Sequence, residues 1–228
     1  MTAVSTFRQE LEAAILERHC AHHPMTQKWA AGELGREALM GWGVEHYHWI
    51  SNISPVTFYK LAHAPADARR VILENYLEEN DPDRPHLPIV LRFAEANGAN
   101  VEEVKRGRGL PTTEAWVAFL TRAALDSWIA GVAATNIGTE SQSPLLYSTV
   151  LPALREKYHF PEDVIEHFWL HCEADVEHGG RAFELLERHC TTEETRQQAI
   201  HWARESARMR WFYFDGIYLH YELGYKLR

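Results

Sequence analysis

The sequence predicts an all-α fold, and three observations carry that prediction. Apolar residues recur at three- and four-residue spacing, as in Phe7, Leu11 and Ile15. No stretch alternates apolar and polar residues in the manner of a half-buried strand. Capping-box patterns stand before two of the periodic runs, at Thr6-x-x-Gln9 and Thr191-x-x-Glu194. The expected architecture is a single-domain helical bundle over residues 1–228, with about seven helices.

The elements follow in order. The Thr6 cap opens the first helix. Gly32 and Gly35 punctuate a turn, and a second helix runs from about Glu37 to Ala62, with a kink or break at Pro55. Asp67 to Glu79 reads as a third helix through Val71, Leu73, Tyr76 and Leu77. Pro82 and Pro85 break the chain, helix resumes at His86, and Gly98 stops it after Ala96. Residues 99–112 read as a polar loop, and Thr113 opens a long apolar segment through Ala134. Pro144 to Lys157 is a further helix. Pro161 suits the first turn of the next one, and Thr191 begins the last, which runs to about Leu223.

Composition narrows the function. Acidic residues number 32 against 23 basic, a net charge of −9, and no basic stripe is present, so nucleic acid is not an expected partner. No apolar run is long enough for a bilayer, and the N-terminal residues lack the pattern of a signal peptide. Cys20, Cys172 and Cys190 have no CxxC spacing, so a reducing cytoplasm is the expected compartment.

The chemistry concentrates in His171-Cys-Glu-Ala-Asp175-Val-Glu-His178. Positions i, i+4 and i+7 share one helix face, so imidazole, carboxylate and imidazole point the same way. Mixed nitrogen and oxygen donors suit iron or manganese, or zinc without redox purpose. Cys172 falls on another face and reads as packing. Taken singly, these residues have ordinary readings: a solvated helix face for the two histidines, a surface acid for Glu79, a helix start for His86. Glu140, closing a long apolar run, must be paired, coordinated or solvated. The six together are what point to metal.

Glu79…His86, Glu140-Ser-Gln-x-Pro, Glu173-Ala-Asp175-Val-x-His178 and Lys28-Trp29-x-x-Gly32-Glu33-Leu34 resemble the heme-oxygenase-like di-iron oxidases and oxygenases. Within them the nearest likeness is to the p-aminobenzoate-forming branch, typified by the chlamydial protein associating with death domains. Pyrroloquinoline quinone synthase C and the TenA thiaminases are more distant. The resemblance implies that Glu79, His86, Glu140, His171, Asp175 and His178 hold two Fe(II) ions, with manganese the alternative. It implies a dioxygen-dependent enzyme acting on a small, amino-acid-derived substrate in a biosynthetic pathway. C–H abstraction, N-oxygenation and C–C cleavage are the candidate outcomes. It also implies a homodimer.

Two departures stand out. The p-aminobenzoate-forming relative consumes a tyrosine of its own chain, where this sequence has Thr26, and an assisting lysine of that relative matches Val150. A self-sacrificing reaction is therefore not expected. The fold places helical segments 45–49 and 208–218 beside the site, and Tyr47, His48, Arg208, Arg210, Trp211 and Tyr218 are the expected substrate-pocket residues. Aromatics at helical spacing serve equally as core, and the arginines equally as surface partners of Glu205 or Asp215. The competing functional classes are a cofactor-free oxidase or hydrolase on the same fold and a non-catalytic interaction protein.

Overall fold

A computed structural model describes residues 6–83 and 85–227, with only the backbone of 173–178. It is helical, with no strand among the described residues. The helices are α1 (Phe7–Leu16), α2 (Pro24–Ala30), α3 (Arg36–His63), α4 (Ala66–Glu79), α5 (His86–Ala96), α6 (Val101–Arg106), α7 (Pro111–Asp126), α8 (Trp128–Val132), α9 (Ser143–Glu156), α10 (Glu166–His189) and α11 (Glu193–Ile217). Two π-helical turns, Ala133–Ile137 and Tyr218–Glu222, extend α8 and α11.

The extra elements come from subdivision of an expected helix and from helices α2 and α6 in stretches where none is expected. The apolar run from Thr113 splits at Ser127, an extended residue whose side chain caps α8 by accepting from Ala130 N at 3.0 Å. The polar stretch 99–112 contains α6, capped by Asn100, and the first residue of α7 is already Pro111. Helix α3 passes through Pro55 unbroken. The ring is exposed, so the lost backbone bond lies on the wet side of the helix. Pro161 stands in a turn ahead of α10, which starts at Glu166. The last capping box is Thr192 with Thr195, one residue beyond the expected pair.

Helix α3 is the organising element. It packs on α4, α5, α7 and α8, while α10 packs on α9 and the first π turn, and α11 on α1 and α7. At the centre, Trp29, Trp42, Phe93 and Phe168 from α2, α3, α5 and α10 form one aromatic cluster. Trp42 and Phe168 have centroids 4.8 Å apart, and Phe93 and Phe168 4.9 Å. Truncating any one would cost roughly 3–5 kcal/mol. Below this cluster Glu45 is fully buried and fully used. It accepts from Leu110 N at 2.7 Å, Thr113 Oγ1 at 2.6 Å and Tyr221 Oη at 3.0 Å. Gly41 makes the last of these bonds available, since a Cβ there would meet the Tyr221 ring at 2.3 Å. Glu45 therefore ties α3 to α7 and the second π turn, a structural role.

Candidate metal centre

Three elements converge on one cavity. The C-terminal end of α4 supplies Glu79, the first residue of α5 supplies His86, and the second turn of α10 supplies His171. The break at Pro82 and Pro85 reverses the chain, so residues seven apart in sequence meet: His86 Nδ1 lies 2.5 Å from Glu79 Oε2. His171 Nε2 is 3.9 Å from the same oxygen, beyond a direct hydrogen bond. One donor atom from each of the three falls within 4.8 Å of the others. Burial pushes the Glu79 carboxyl up, and His171 and His86 more than reverse it, holding Glu79 ionised well below the usual carboxylate range.

The surroundings orient these groups for a cation. His171 Nδ1–H donates to the His167 carbonyl at 2.8 Å, which fixes the tautomer and leaves the Nε2 lone pair toward Glu79. His167 stacks 4.1 Å from the His171 ring and meets the Tyr147 hydroxyl at 3.1 Å. Burial first, and neighbouring positive charge second, lower the pKa of both His167 and His46, so both are neutral.

Glu140 lines the same cavity from the segment between the first π turn and α9. Asn136 Nδ2 donates to its Oε2 at 2.8 Å. Arg210, buried on α11, grips the segment on both sides of Glu140, donating to the Thr139 carbonyl and to Ser143 Oγ at 3.2 Å. The side chains of Asp175 and His178, the other two expected ligands, lie outside the described residues.

The cavity measures about 120 Å³. It is lined from α3 by His46, Trp49, Ile53 and Lys60, and from other elements by Tyr76, Leu87 and Tyr147, among others. None of the six residues expected from sequence to form the pocket lines it. Tyr47 packs on the satellite cluster of Val44 and Leu91. His48, one residue further, faces a surface groove with Gly107 and Gly109. Arg208 is spent on Glu17 at 3.0 Å and Glu205 at 2.7 Å. Trp211 and Tyr218 pack against His23, at 4.6 and 6.3 Å between centroids. Arg210 holds the Glu140 segment. The physical reason is rotation: each residue turns a helix by roughly 100°, so a neighbour of the correct residue faces elsewhere. Lys60, Thr135 and Asn136 carried no sequence signal, because a buried lysine inside a periodic helix reads as a solvated position.

Residues 41–211 match the sequence profile of a family described as iron-containing redox enzymes. The chain belongs to this family. It is 32% identical over 187 residues to a 4-aminobenzoate synthase of Chlamydia muridarum, covering 79% of this chain and 78% of that one. It is 25% identical to a 4-aminobenzoate synthase of Nitrosomonas europaea, over 96% of this chain and 94% of the relative. A bifunctional coenzyme PQQ synthesis protein C/D of Methylorubrum extorquens is 24% identical over 93% of this chain and 59% of its own. Among solved structures, a Shewanella denitrificans domain with a heme oxygenase-like fold superposes with a TM-score of 0.80 at 17% identity, covering 100% of this chain and 99% of that one. A TenA homologue from Pseudomonas syringae gives 0.77 at 14%, covering 92% and 90%. The fold of this member of the family is thus heme-oxygenase-like.

Proposed function

We propose that the chain is a non-heme di-iron oxidase or oxygenase that uses dioxygen to oxidise a small, amino-acid-derived substrate. Glu79, His86, Glu140, His171, Asp175 and His178 are the proposed ligands of two Fe(II) ions, with manganese the alternative metal. The observation that carries this reading is the buried meeting of Glu79, His86 and His171, with His171 pinned by the His167 carbonyl. Imidazole nitrogens and an ionised carboxylate lining one cavity fit a divalent first-row ion. Bound there, such ions supply the electrons that activate dioxygen.

The protein's own residues do the rest. Asn136 and Arg210 hold the Glu140 segment, so that its carboxylate faces the cavity without choosing among rotamers. His167 fixes the ring plane of His171. Trp49, Ile53 and Leu87 keep water out and offer apolar surface to the substrate body. Thr26 is buried and donates to the Cys20 carbonyl at 2.7 Å, and Val150 is wholly in the core. Neither lines the cavity, so these two positions contribute no side chain to it.

Anaerobic loading with ferrous iron tests the reading. Up to two irons per chain, with Mössbauer signals of high-spin Fe(II), and dioxygen uptake that depends on an added small amino or carboxylic acid are expected. Absence of stoichiometric iron or manganese after loading would remove it. A homodimer belongs to the same reading, and sedimentation as a clean monomer at micromolar concentration would count against that part.

A further inference from the structure

Lys60 is an expensive residue for a fold to bury. Its side chain is buried in the wall of the cavity, 4% exposed. Among the described residues it is the only lysine or arginine of that wall; its hydrogen bonds go to neutral groups, and Glu140 of the same wall favours its charge from beyond ion-pair contact. An unpaired buried ammonium is among the costliest groups a fold can carry.

The fold nonetheless builds a seat for it. In α8, Gly131 stands against the lysine stem, and a Cβ there would come within 2.6 Å of Lys60 Cγ. The π turn that follows presents Thr135 and Asn136 together. Nζ donates to Thr135 Oγ1 at 2.8 Å and reaches Asn136 Oδ1 at 3.4 Å. Thr135 passes its own proton to the Gly131 carbonyl at 2.8 Å, so its lone pairs are turned to the amine. Two of the three ammonium donors are thereby used, both by neutral acceptors, and the third has no partner among the described residues. Trp49 Nε1–H, also in the cavity wall, is buried without a partner, as is the Asn75 side-chain oxygen.

We propose that Lys60 is the specificity-determining anchor for a substrate carboxylate, with the Trp49 indole N–H as second donor, so that the cavity selects small carboxylic acids with an apolar body. This deepens the proposed function and rests on its reading of the cavity as the substrate site. The size agrees: about 120 Å³, at roughly 10–15 Å³ per water-sized position, leaves room for about ten heavy atoms. Asn75 supplies an acceptor for an amino group, should the acid carry one. Lys60, Glu79, His86 and His171 line the same cavity, so an acid held by Lys60 stays beside the proposed redox centre.

Isothermal calorimetry with phenylacetate and its neutral isostere phenylacetamide tests this, on full-length protein loaded anaerobically with Fe(II). Wild type is expected to prefer the carboxylate at least tenfold. Lys60→Met should abolish the preference while iron content and helical circular dichroism stay unchanged. Gly131→Ala, which displaces the stem and keeps the amine, should weaken the preference severalfold. Retention of the full preference in Lys60→Met, or binding of neither probe by iron-loaded wild type, would overturn the proposal. Should Lys60→Met fail to fold, Gly131→Ala decides by the same ratio. If the chain holds no iron, the redox reading fails, while the same probe pair on the metal-free chain still reads the Lys60 preference.

Discussion

His171 illustrates how much of this site is set one residue away from it. Its donor atom faces Glu79 because its other nitrogen is committed to the His167 carbonyl. His171→Ala is expected to weaken iron binding by more than the ~10–100-fold typical of losing a group that only orients a ligand. The bundle should survive, because Phe168 and Phe183 of the same helix stay buried. A chelator competition titration, with circular dichroism as the fold control, measures both. Iron affinity unchanged in this variant would remove His171 from the ligand set. Lys60 makes the complementary case. Burial lowers its pKa from 10.5 to about 8, partly offset by Glu140. That fall corresponds to about 3 kcal/mol spent on keeping the amine charged at neutral pH. Lys60→Met is therefore expected to stabilise the metal-free protein by up to that order, read as a rise in the urea midpoint with the same slope. A destabilised Lys60→Met would mean that the lysine holds the fold rather than a ligand.

At the scale of elements, the π turn Ala133–Ile137 and helix α11 decide where Glu140 stands. The wider turn brings Thr135 and Asn136 together at Lys60, and the Asn136 amide carries that contact on to Glu140. Arg210 clamps the other flank through Thr139 and Ser143. On the proposed two-metal reading, Arg210→Met should loosen the segment and lower the affinity of the metal assigned there to Glu140, by ~10–100-fold, leaving the other nearly unchanged. A biphasic ferrous titration replacing a tighter one would report this, and an unaltered titration would refute the clamp. These elements also mark the limits of reading the sequence. The caps at Thr6 and Asn100 are local chemistry, and the first was legible directly. The break at Pro82 and Pro85 is legible as local chemistry, whereas the pairing of Glu79 with His86 comes only from the family resemblance. The split at Ser127 was invisible, since one extended residue inside an apolar run leaves the periodicity intact. The correct helix, α3, was identified as a wall of the cavity, yet Tyr47 and His48 were chosen where His46, Trp49 and Lys60 face inward. Helical phase at an aromatic-rich segment is decided by packing against α5 and α7, which the sequence alone does not display.

For the whole molecule, the histidines that the core takes up set the acid limit of stability. His19 is 4% exposed, and its pKa falls from 6.5 to about 4, chiefly through burial and then through the charges of Arg210 and His22. His46 and His167 shift in the same direction for the same first reason. A histidine whose folded pKa is depressed stays neutral in the native state and takes up its proton only on unfolding. The unfolded chain then binds more protons below pH 6.5, so stability falls as the pH drops from 6.5 toward the folded pKa. His19 alone should cost about 3 kcal/mol by pH 4, a substantial share of the ~5–15 kcal/mol that holds a typical domain. Metal-free protein separates this effect from proton competition at the ligands. Its urea midpoint should decline steadily between pH 6.5 and 4.5. His19→Asn removes one titrating group and keeps a side-chain acceptor for the Ala21 amide, which His19 Nδ1 now serves at 3.2 Å. The variant should therefore show a visibly shallower decline, with the two proteins diverging only below pH 6.5. Parallel pH profiles in the two proteins would mean that the acid limit is set elsewhere, by carboxylates such as Glu79 whose folded pKa is depressed and whose contribution is lost only at lower pH.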